Sequence, residues 1–141
     1  YNVPAHLIEI EITEETFISS IELATDTLTQ LKAAGLCVAL DDFGKGYSCL
    51  SYISQLPLDR LKIDGSFVAK LGEDSANDGI VQAIVTLGKS LNLALVGECV
   101  ETANQQQMLA KLGCDYLQGY LLSRPLSADA AASALQSTSL R

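Results

Sequence analysis

One stretch of this sequence constrains the fold more than any other, because an apolar run ends abruptly in two adjacent acids and a glycine-containing loop. Residues 38–40 form the run, Asp41 and Asp42 are the acids, and Gly44 and Gly46 bracket the loop. A buried parallel strand delivers charged side chains to its C-terminal end in this way. In the alternative reading, Asp41 caps a helix, Asp42 faces solvent and the glycines only shape a turn.

The adjacent acids need compensation, since the whole chain already carries a formal net charge of −8. A divalent cation is an effective partner, because it keeps neighbouring carboxylates ionised in a pocket. The 17 Asp and Glu residues outnumber the 9 Lys and Arg residues, which argues against binding of duplex nucleic acid through a basic surface. Bound cations would reverse the local field and let an anionic substrate approach.

Composition gives two further expectations. No apolar run approaches the roughly 18 residues of a membrane span, so we expect no direct membrane insertion by this segment. The 4 cysteines include no C-x-x-C pair, which disfavours a zinc knuckle or a redox motif. Reduced cysteines suit the cytoplasm, so we predict a cytoplasmic location, which includes the cytoplasmic part of a larger membrane-anchored protein.

Strand and helix patterns alternate along the chain with short joints. The predicted strands cover residues 7–12, 37–43, 60–64, 93–100 and 115–119. The apolar stripes predicted for two of the intervening helices are Phe17, Ile21, Ala24, Leu28 and Leu31, and Ile80, Ile84, Leu87 and Leu91. The pattern therefore predicts about five consecutive βα units.

Capping residues mark the ends of several predicted helices. Thr13 is predicted to cap the first helix and Gly35 to end it. Thr102 and Gln105 have the spacing of a capping box, and Ser127 is predicted to cap the last helix.

Successive βα units predict parallel strands joined by right-handed crossovers. A closed barrel of this kind needs eight strands and about 250 residues, so we predict an α/β fold that is a partial (β/α)8 TIM-type barrel. The structural alternative is an open, flavodoxin-like sheet, which binds ligands at a switch point and not around a whole rim.

Every predicted strand has a polar side chain at or just beyond its C-terminal end. These residues are Glu11, Asp41, Asp42, Lys62, Asp64, Glu98, Glu101 and Gln118. Barrel enzymes place their chemistry at this end of the strands. The candidate ligands are oxygens, and the single histidine, His6, precedes the first strand. The set therefore favours Mg²⁺ or Mn²⁺ over zinc.

At this point five motifs resemble, in order, those of the EAL-domain cyclic di-GMP phosphodiesterases. They are Glu11-Ile12-Thr13-Glu14, Asp41-Asp42-Phe43-Gly44-x-Gly46-Tyr47-Ser48, Lys62-Ile63-Asp64-x-Ser66-Phe67-Val68, Glu98-x-Val100-Glu101-Thr102, and Gln118-Gly119-Tyr120 with Arg124-Pro125-Leu126. The similarity covers nearly all of the 141 residues. Five motifs in register, each at a strand end, argue against coincidence.

The resemblance implies metal-dependent hydrolysis of one phosphodiester bond of cyclic di-GMP, giving the linear dinucleotide at a site for two Mg²⁺ or Mn²⁺ ions. The implied metal ligands are Glu11, Asp41, Asp42 and Glu98, and the implied catalytic residues are Lys62, Glu98 and Glu101. Asp64 and Gln118 would orient water and substrate. Glu14 would tether the loop after Asp42, a region through which the resemblance also implies a homodimer.

Each of these roles has a structural alternative. Asp64 could cap the segment that follows it, and Lys62 could be an ion-pair partner inside the barrel. Gln118 could satisfy buried backbone groups, and Glu101 lies just ahead of a helix, where a carboxylate gains from the helix dipole.

The sequence also departs from the family pattern. Lys45 stands where the family has a small residue or Thr, and Cys99 stands where glycine usually follows Glu98. The Glu-Ala-Leu signature and an Asn ligand belong to strands that would precede Tyr1, so residues 1–141 are predicted to be the C-terminal part of a single EAL-type barrel domain. The fragment of an active phosphodiesterase would then be inactive alone. The alternatives are a non-catalytic EAL-like receptor for cyclic di-GMP or a protein-interaction module, and, in a third class, an enolase-like or aldolase-like barrel enzyme.

Overall fold

Five parallel strands form one sheet in the computed structural model, which describes residues 2–14, 20–44 and 50–137. The strands are β1 (Glu9–Thr13), β2 (Cys37–Phe43), β3 (Arg60–Ile63), β4 (Ala94–Gly97) and β5 (Tyr116–Leu117). The helices are α1 (Ile21–Ala33), α2 (Leu50–Ile53), α3 (Gly65–Val68), α4 (Ser75–Ser90), α5 (Ala103–Leu112) and α6 (Ala128–Ser137). A 3₁₀ turn, Ala5–Leu7, precedes β1. Within these ranges, no helix combines the length and the apolar character that a membrane crossing requires.

The strand order distinguishes between the two predicted architectures. Neighbours follow the order β1-β2-β3-β4-β5, and every neighbouring pair is parallel. A flavodoxin-like sheet would reverse its strand order at a switch point. Unbroken sequential order is the winding of a (β/α) barrel, so the predicted barrel-type α/β fold is confirmed.

The sheet has two chemically different faces, because side chains alternate along each strand. One face is apolar and fully buried, and its central residues are Val38, Leu40, Leu61, Ile63 and Leu95. Residues of the helices, including Leu28, Val81, Val85 and Leu109, complete this core. Burial of this apolar surface is the main force that holds the helices on the sheet.

The opposite face, which we call the polar face, carries charged residues at every second position of two strands. Glu9 and Glu11 alternate along β1, and Arg60 and Lys62 alternate along β3. Both strands pair in register with β2 at Ala39, which places the four side chains on the same side of the sheet.

A β-bulge in β2 determines where the two adjacent acids lie. Strands β2 and β3 pair in step as far as Leu40, and pairing resumes at Phe43, so Asp41 and Asp42 lie opposite the single residue Lys62. Asp42 has a φ of 55°, a left-handed conformation in which Asp is enriched over most residues other than glycine. The bulge therefore brings both carboxylates to the same end of the sheet.

The first predicted helix is interrupted at Ser20. Ser20 has an extended backbone and accepts a hydrogen bond from the Leu23 N–H, so the described helix begins at Ile21. Thr13, the predicted cap, ends β1 and directly precedes Glu14, which is helical, and residues 15–19, which include Phe17, lie outside the described residues. The prediction of one continuous helix was therefore wrong at Ser20, where an extended residue separates the helical Glu14 from α1.

The stripe predicted for α4 was wrong at Ile80, which is 46% exposed. The helix packs instead through Val81, Ile84, Val85 and Gly88. The buried side chain of Asn77 donates a hydrogen bond to the Phe67 carbonyl at 2.8 Å, and a Cβ at Gly88 would lie 2.5 Å from Leu95. The buried face therefore includes Asn77 and Gly88, which an apolar stripe does not reveal, while Leu87 and Leu91 of the predicted stripe still pack against the core.

The other predicted boundaries are close to those observed. Thr102 and Gln105 form the capping box of α5, and Gly113 ends this helix in the left-handed conformation. Ser127 accepts a hydrogen bond from the Ala130 N–H at the start of α6. Strands β4 and β5 are shorter than predicted, because only residues 94–97 and 116–117 pair with a neighbouring strand.

Candidate functional site

Lys62 lies at the centre of the polar face, where it is 3% exposed. Its Nζ lies 2.6 Å from Glu11 Oε1, 3.2 Å from Asp41 Oδ1 and 2.8 Å from Glu98 Oε1. Glu11 comes from β1, Asp41 from β2, and Glu98 directly follows β4. Parallel strands thus bring three distant acids onto one ammonium group, and we call these four residues together with Asp42 the acid–lysine cluster.

The electrostatics of the cluster follow from burial and from the surplus of acids. Burial alone would lower the pKa of Lys62, but its hydrogen bonds to Glu11 and Glu98 outweigh burial and the pKa is raised. Burial raises the pKa of Glu98, the attraction of Lys62 opposes this shift, and the charges of Asp41 and Glu11 add to it. Lys62 is therefore firmly protonated at neutral pH, whereas its surroundings disfavour the charge of Glu98.

Three acids of the cluster meet the geometric requirement of a cation site. One carboxylate oxygen from each of Asp41, Asp42 and Glu98 lies within 4.8 Å of the other two. An all-oxygen donor set suits a hard divalent cation such as Mg²⁺ or Mn²⁺. The cluster holds four acids and one lysine among the described residues, so its negative charge also fits a bound cation.

Glu11, the fourth predicted metal ligand, lies differently. Its carboxylate contacts Lys62 but is not part of the group of oxygens within 4.8 Å of one another. Its side chain is also more exposed than those of Asp41 and Glu98. The structure thus brings Glu11 to the same lysine, and its role as a metal ligand stays a prediction.

Glu14, the predicted loop tether, connects the end of β1 to the segment after Asp42. Glu14 is 5% exposed, and its Oε1 accepts a hydrogen bond from the Gly44 N–H at 3.0 Å. Gly44 has a φ of 102°, and a Cβ there would lie 2.7 Å from the Phe67 ring. Residues 45–49, which include Lys45 and Tyr47, lie outside the described residues. A contact suited to tethering is present, while the role of the loop itself stays a prediction.

Replacing Glu14 by alanine is expected to lower the free energy of unfolding by about 2 kcal/mol, because the partly buried Gly44 N–H loses a charged acceptor. Glu14→Gln keeps an acceptor oxygen of the same reach and serves as the matched control, with an expected loss below about 1 kcal/mol. Urea unfolding of both variants measures the difference. Equal stability of the alanine variant and the wild type would show that the contact does not hold the loop.

Asp64 combines burial with a capping role. Its side chain is buried, and its Oδ1 accepts hydrogen bonds from the N–H and the hydroxyl of Ser66 at the start of α3. The capping alternative considered from the sequence is thus observed. Orientation of water by Asp64 stays a prediction.

Glu101 and Gln118 lie together on a cavity next to the cluster. The cavity has a volume of about 460 Å³, and Glu98, Cys99, Tyr120 and Arg124 contribute to its walls. Glu101 and Gln118 are exposed, and the Glu101 N–H donates to Gln105 Oε1 inside the capping box. The structure therefore brings both predicted residues to the site, at its rim.

Sequence reasoning assigned no role to the aromatic–cationic pair in this cavity. Arg124 Cζ lies 4.7 Å from the centre of the Tyr120 ring. Such stacking restrains a guanidinium while leaving its donors available. The signal in the sequence was a tyrosine and an arginine four residues apart, in the loop after the last strand.

A second ionic contact on the polar face was also missed. Arg60 lies 2.8 Å from Glu9 at the start of the strands, and its guanidinium lies 4.8 Å from the centre of the Tyr116 ring. This contact is one layer below the acid–lysine cluster, since Arg60 and Lys62 are two residues apart on β3. The alternation of charges in β1 and β3 was the available signal.

Comparison with known proteins gives a consistent result. The model of the family described as the EAL domain matches residues 1–125. The bifunctional diguanylate cyclase/cyclic di-GMP phosphodiesterase MucR of Pseudomonas aeruginosa is 48% identical over 126 residues, which are 89% of this chain and 18% of that protein.

Solved structures agree. The PaMucR phosphodiesterase in complex with c-di-GMP superposes with a TM-score of 0.87 at 44% identity, over 92% of this chain and 52% of that one. BlrP1 of Klebsiella pneumoniae in complex with manganese and cyclic di-GMP gives a TM-score of 0.80 at 32% identity, over 87% of this chain and 31% of that one. The chain thus spans only a fraction of the length of the proteins that it matches.

Proposed function

Because this chain belongs to the EAL domain family, we propose that it supplies the acidic half of the active site of a metal-dependent phosphodiesterase that hydrolyses cyclic di-GMP to the linear dinucleotide. We further propose that residues 1–141 are the C-terminal part of a single EAL-type barrel domain, whose remaining strands belong to the parent protein.

The observation that carries this proposal is the acid–lysine cluster. Its acids come from the ends of the parallel strands β1, β2 and β4 and converge on Lys62 of β3. A structural ion pair would need one acid, whereas this cluster keeps four carboxylates close together at a considerable electrostatic cost. Such an arrangement is typical of sites at which charge is used for binding or catalysis.

We propose that Asp41, Asp42 and Glu98 hold divalent cations, Mg²⁺ or Mn²⁺, with Glu11 as a further ligand in the complete domain. When bound, such cations neutralise the charge of a phosphodiester and lower the pKa of water. The relative that binds both manganese and cyclic di-GMP supports this choice, since its structure resembles this chain over most of the chain's length.

The protein's own groups have separate roles in this proposal. The Lys62 ammonium orients the carboxylates and donates a hydrogen bond to the attacking water. Glu98 serves as ligand or as general base, and Glu101 and Gln118 orient water and substrate at the rim of the cavity. Asp64 caps the turn after β3 through Ser66, and we propose that it also orients water and substrate.

Three further expectations belong to this proposal. Cyclic di-GMP is the small-molecule partner, as it is of the MucR phosphodiesterase in its solved complex. The parent protein is expected to form a homodimer through the barrel loop region that follows Asp42. The segment is expected to act in the cytoplasm.

We expect the parent protein to convert cyclic di-GMP to the linear dinucleotide in the presence of Mn²⁺ or Mg²⁺, and this chain alone to be inactive. Chromatography of the nucleotides after incubation with each protein measures the reaction. Asp26→Asn removes an exposed carboxylate on α1 that is not part of the acid–lysine cluster, and it should leave the activity of the parent protein unchanged. If the parent protein is folded and loaded with metal but does not hydrolyse cyclic di-GMP, the enzyme proposal is wrong and a receptor or scaffold is favoured.

A further inference from the structure

The turn that carries Glu98 is fixed by backbone hydrogen bonds on both sides. The Glu98 N–H donates to the Ile63 carbonyl at 3.2 Å, and the Val100 N–H donates to the Gln118 carbonyl at 2.9 Å. Cys99 lies between these two bonds with a φ of 51°. A residue in the left-handed conformation changes the direction of the chain sharply. The backbone at Cys99 therefore helps to determine how Glu98 is oriented at the end of β4.

The side chain of Cys99 occupies the space next to Gly65. A Cβ added at Gly65 would lie 2.5 Å from Cys99 Sγ and 2.6 Å from Cys99 Cβ. The second contact cannot be relieved by rotating the thiol, because a Cβ moves only with its backbone. Gly65 does not have a positive φ. Glycine is therefore required at this position because a larger side chain would collide with Cys99, and not because of the backbone conformation.

We propose that Gly65 and Cys99 form a size-matched pair that positions Glu98 for cation binding. Gly65 directly follows Asp64 at the end of β3, and Cys99 directly follows Glu98 at the end of β4. The pair therefore sets the spacing of the two turns that carry polar residues of the site. This inference rests on the proposed function only for its consequence, cation binding, whereas the positioning itself is a property of the fold.

Gly65→Ala is expected to displace the Glu98 carboxylate by about 1 Å and to weaken Mn²⁺ binding by at least about tenfold, as loss of a residue that orients a metal ligand does. Cys99→Gly alone should leave the position of Glu98 unchanged, because glycine adopts a φ of 51° without strain. The double variant Gly65→Ala/Cys99→Gly should recover the wild-type position and affinity. Gly65→Ala/Cys99→Ala should not, because the alanine Cβ still collides.

Metal-free crystal structures and Mn²⁺ titrations of the parent protein carrying these changes test the pair. Gly88→Ala is the matched control, since its Cβ would lie equally close, at 2.5 Å, to Leu95 but on the apolar side of the sheet. It should lower stability and leave Mn²⁺ affinity unchanged. If Gly65→Ala does not fold, the same ranking is expected in the thermal stability of the two double variants.

The proposed pairing would be contradicted if both double variants recovered the wild-type Mn²⁺ affinity, or if Glu98 kept its wild-type position in Gly65→Ala. Absence of Mn²⁺ binding by the wild type would instead contradict the proposed function, and the metal-free crystal structures would still decide whether Gly65 and Cys99 position Glu98.

Discussion

Lys62→Met is expected to lower the free energy of unfolding at pH 7 by about 3–5 kcal/mol, the range for removing one partner of a buried ion pair. The variant keeps the length of the side chain but leaves Glu11, Asp41 and Glu98 facing one another without their common cation. A loss of this size is a large fraction of the stability of an ordinary domain. Denaturant unfolding followed by circular dichroism measures it, and hydrolysis by the parent protein should be lost as well.

Lys32→Met is the matched control for this prediction. Lys32 also forms an ion pair, with Asp59, but both side chains are about one-third exposed. Partly exposed pairs of this kind contribute about 0–1 kcal/mol. Equal losses in Lys32→Met and Lys62→Met would contradict the assignment of Lys62 as the centre of the cluster.

The dependence of this loss on pH follows from the directions of the two pKa shifts. The raised pKa of Lys62 means that its contribution is complete below the ordinary value of 10.5 and is lost as the pH rises through 10.5 and above. The raised pKa of Glu98 means that protonating this acid favours the folded state as the pH falls toward 4.5. The stability gap between wild type and Lys62→Met should therefore be widest near neutral pH and narrow on both sides.

Asp41→Asn in the parent protein is expected to weaken Mn²⁺ binding by more than about 100-fold, because even residues that only orient a ligand cost 10–100-fold. The substitution keeps the shape of the side chain, and the amide oxygen can still accept the Asp42 N–H hydrogen bond, which measures 2.9 Å in the structure. Isothermal titration with Mn²⁺, before and after removal of metal by a chelator, gives the affinity.

Asp59→Asn serves as the control for Asp41→Asn. Asp59 is also a partly buried aspartate paired with a lysine, and its Oδ2 accepts the Val38 N–H, but it lies before β3 and outside the cluster. Its replacement should lower stability and leave Mn²⁺ affinity unchanged. An Asp41→Asn protein that binds Mn²⁺ like the wild type would remove Asp41 from the cation site.

The fold was predictable from the sequence where local signals and tertiary packing agree. The strand at residues 37–43 and the helix from Thr102 to Gly113 have the predicted bounds, since apolar runs and caps act within a few residues. The buried face of α4 was predicted only in part, because Asn77 is buried through its hydrogen bond to the Phe67 carbonyl and Gly88 through its close approach to Leu95. Such contacts join segments that are distant in sequence.

The candidate site was also predictable from the sequence only in part. The position of Asp41, Lys62 and Glu98 at strand ends predicted that they lie close together, because parallel strands bring their carboxyl ends to one edge of the sheet. The β-bulge that places Asp41 and Asp42 opposite Lys62 could not be predicted from the periodicity of the sequence. The fit of Cys99 against Gly65 depends on a left-handed backbone, which the residue types alone do not indicate.

Anomalous diffraction from crystals of the parent protein grown with Mn²⁺ tests the proposed cation site most directly. We predict an anomalous peak in contact with carboxylate oxygens of Asp41, Asp42 and Glu98, next to the Lys62 ammonium. A map with Mn²⁺ bound elsewhere on the protein, and with these three carboxylates holding only Lys62, would contradict the proposal that the acid–lysine cluster is the metal site of a phosphodiesterase.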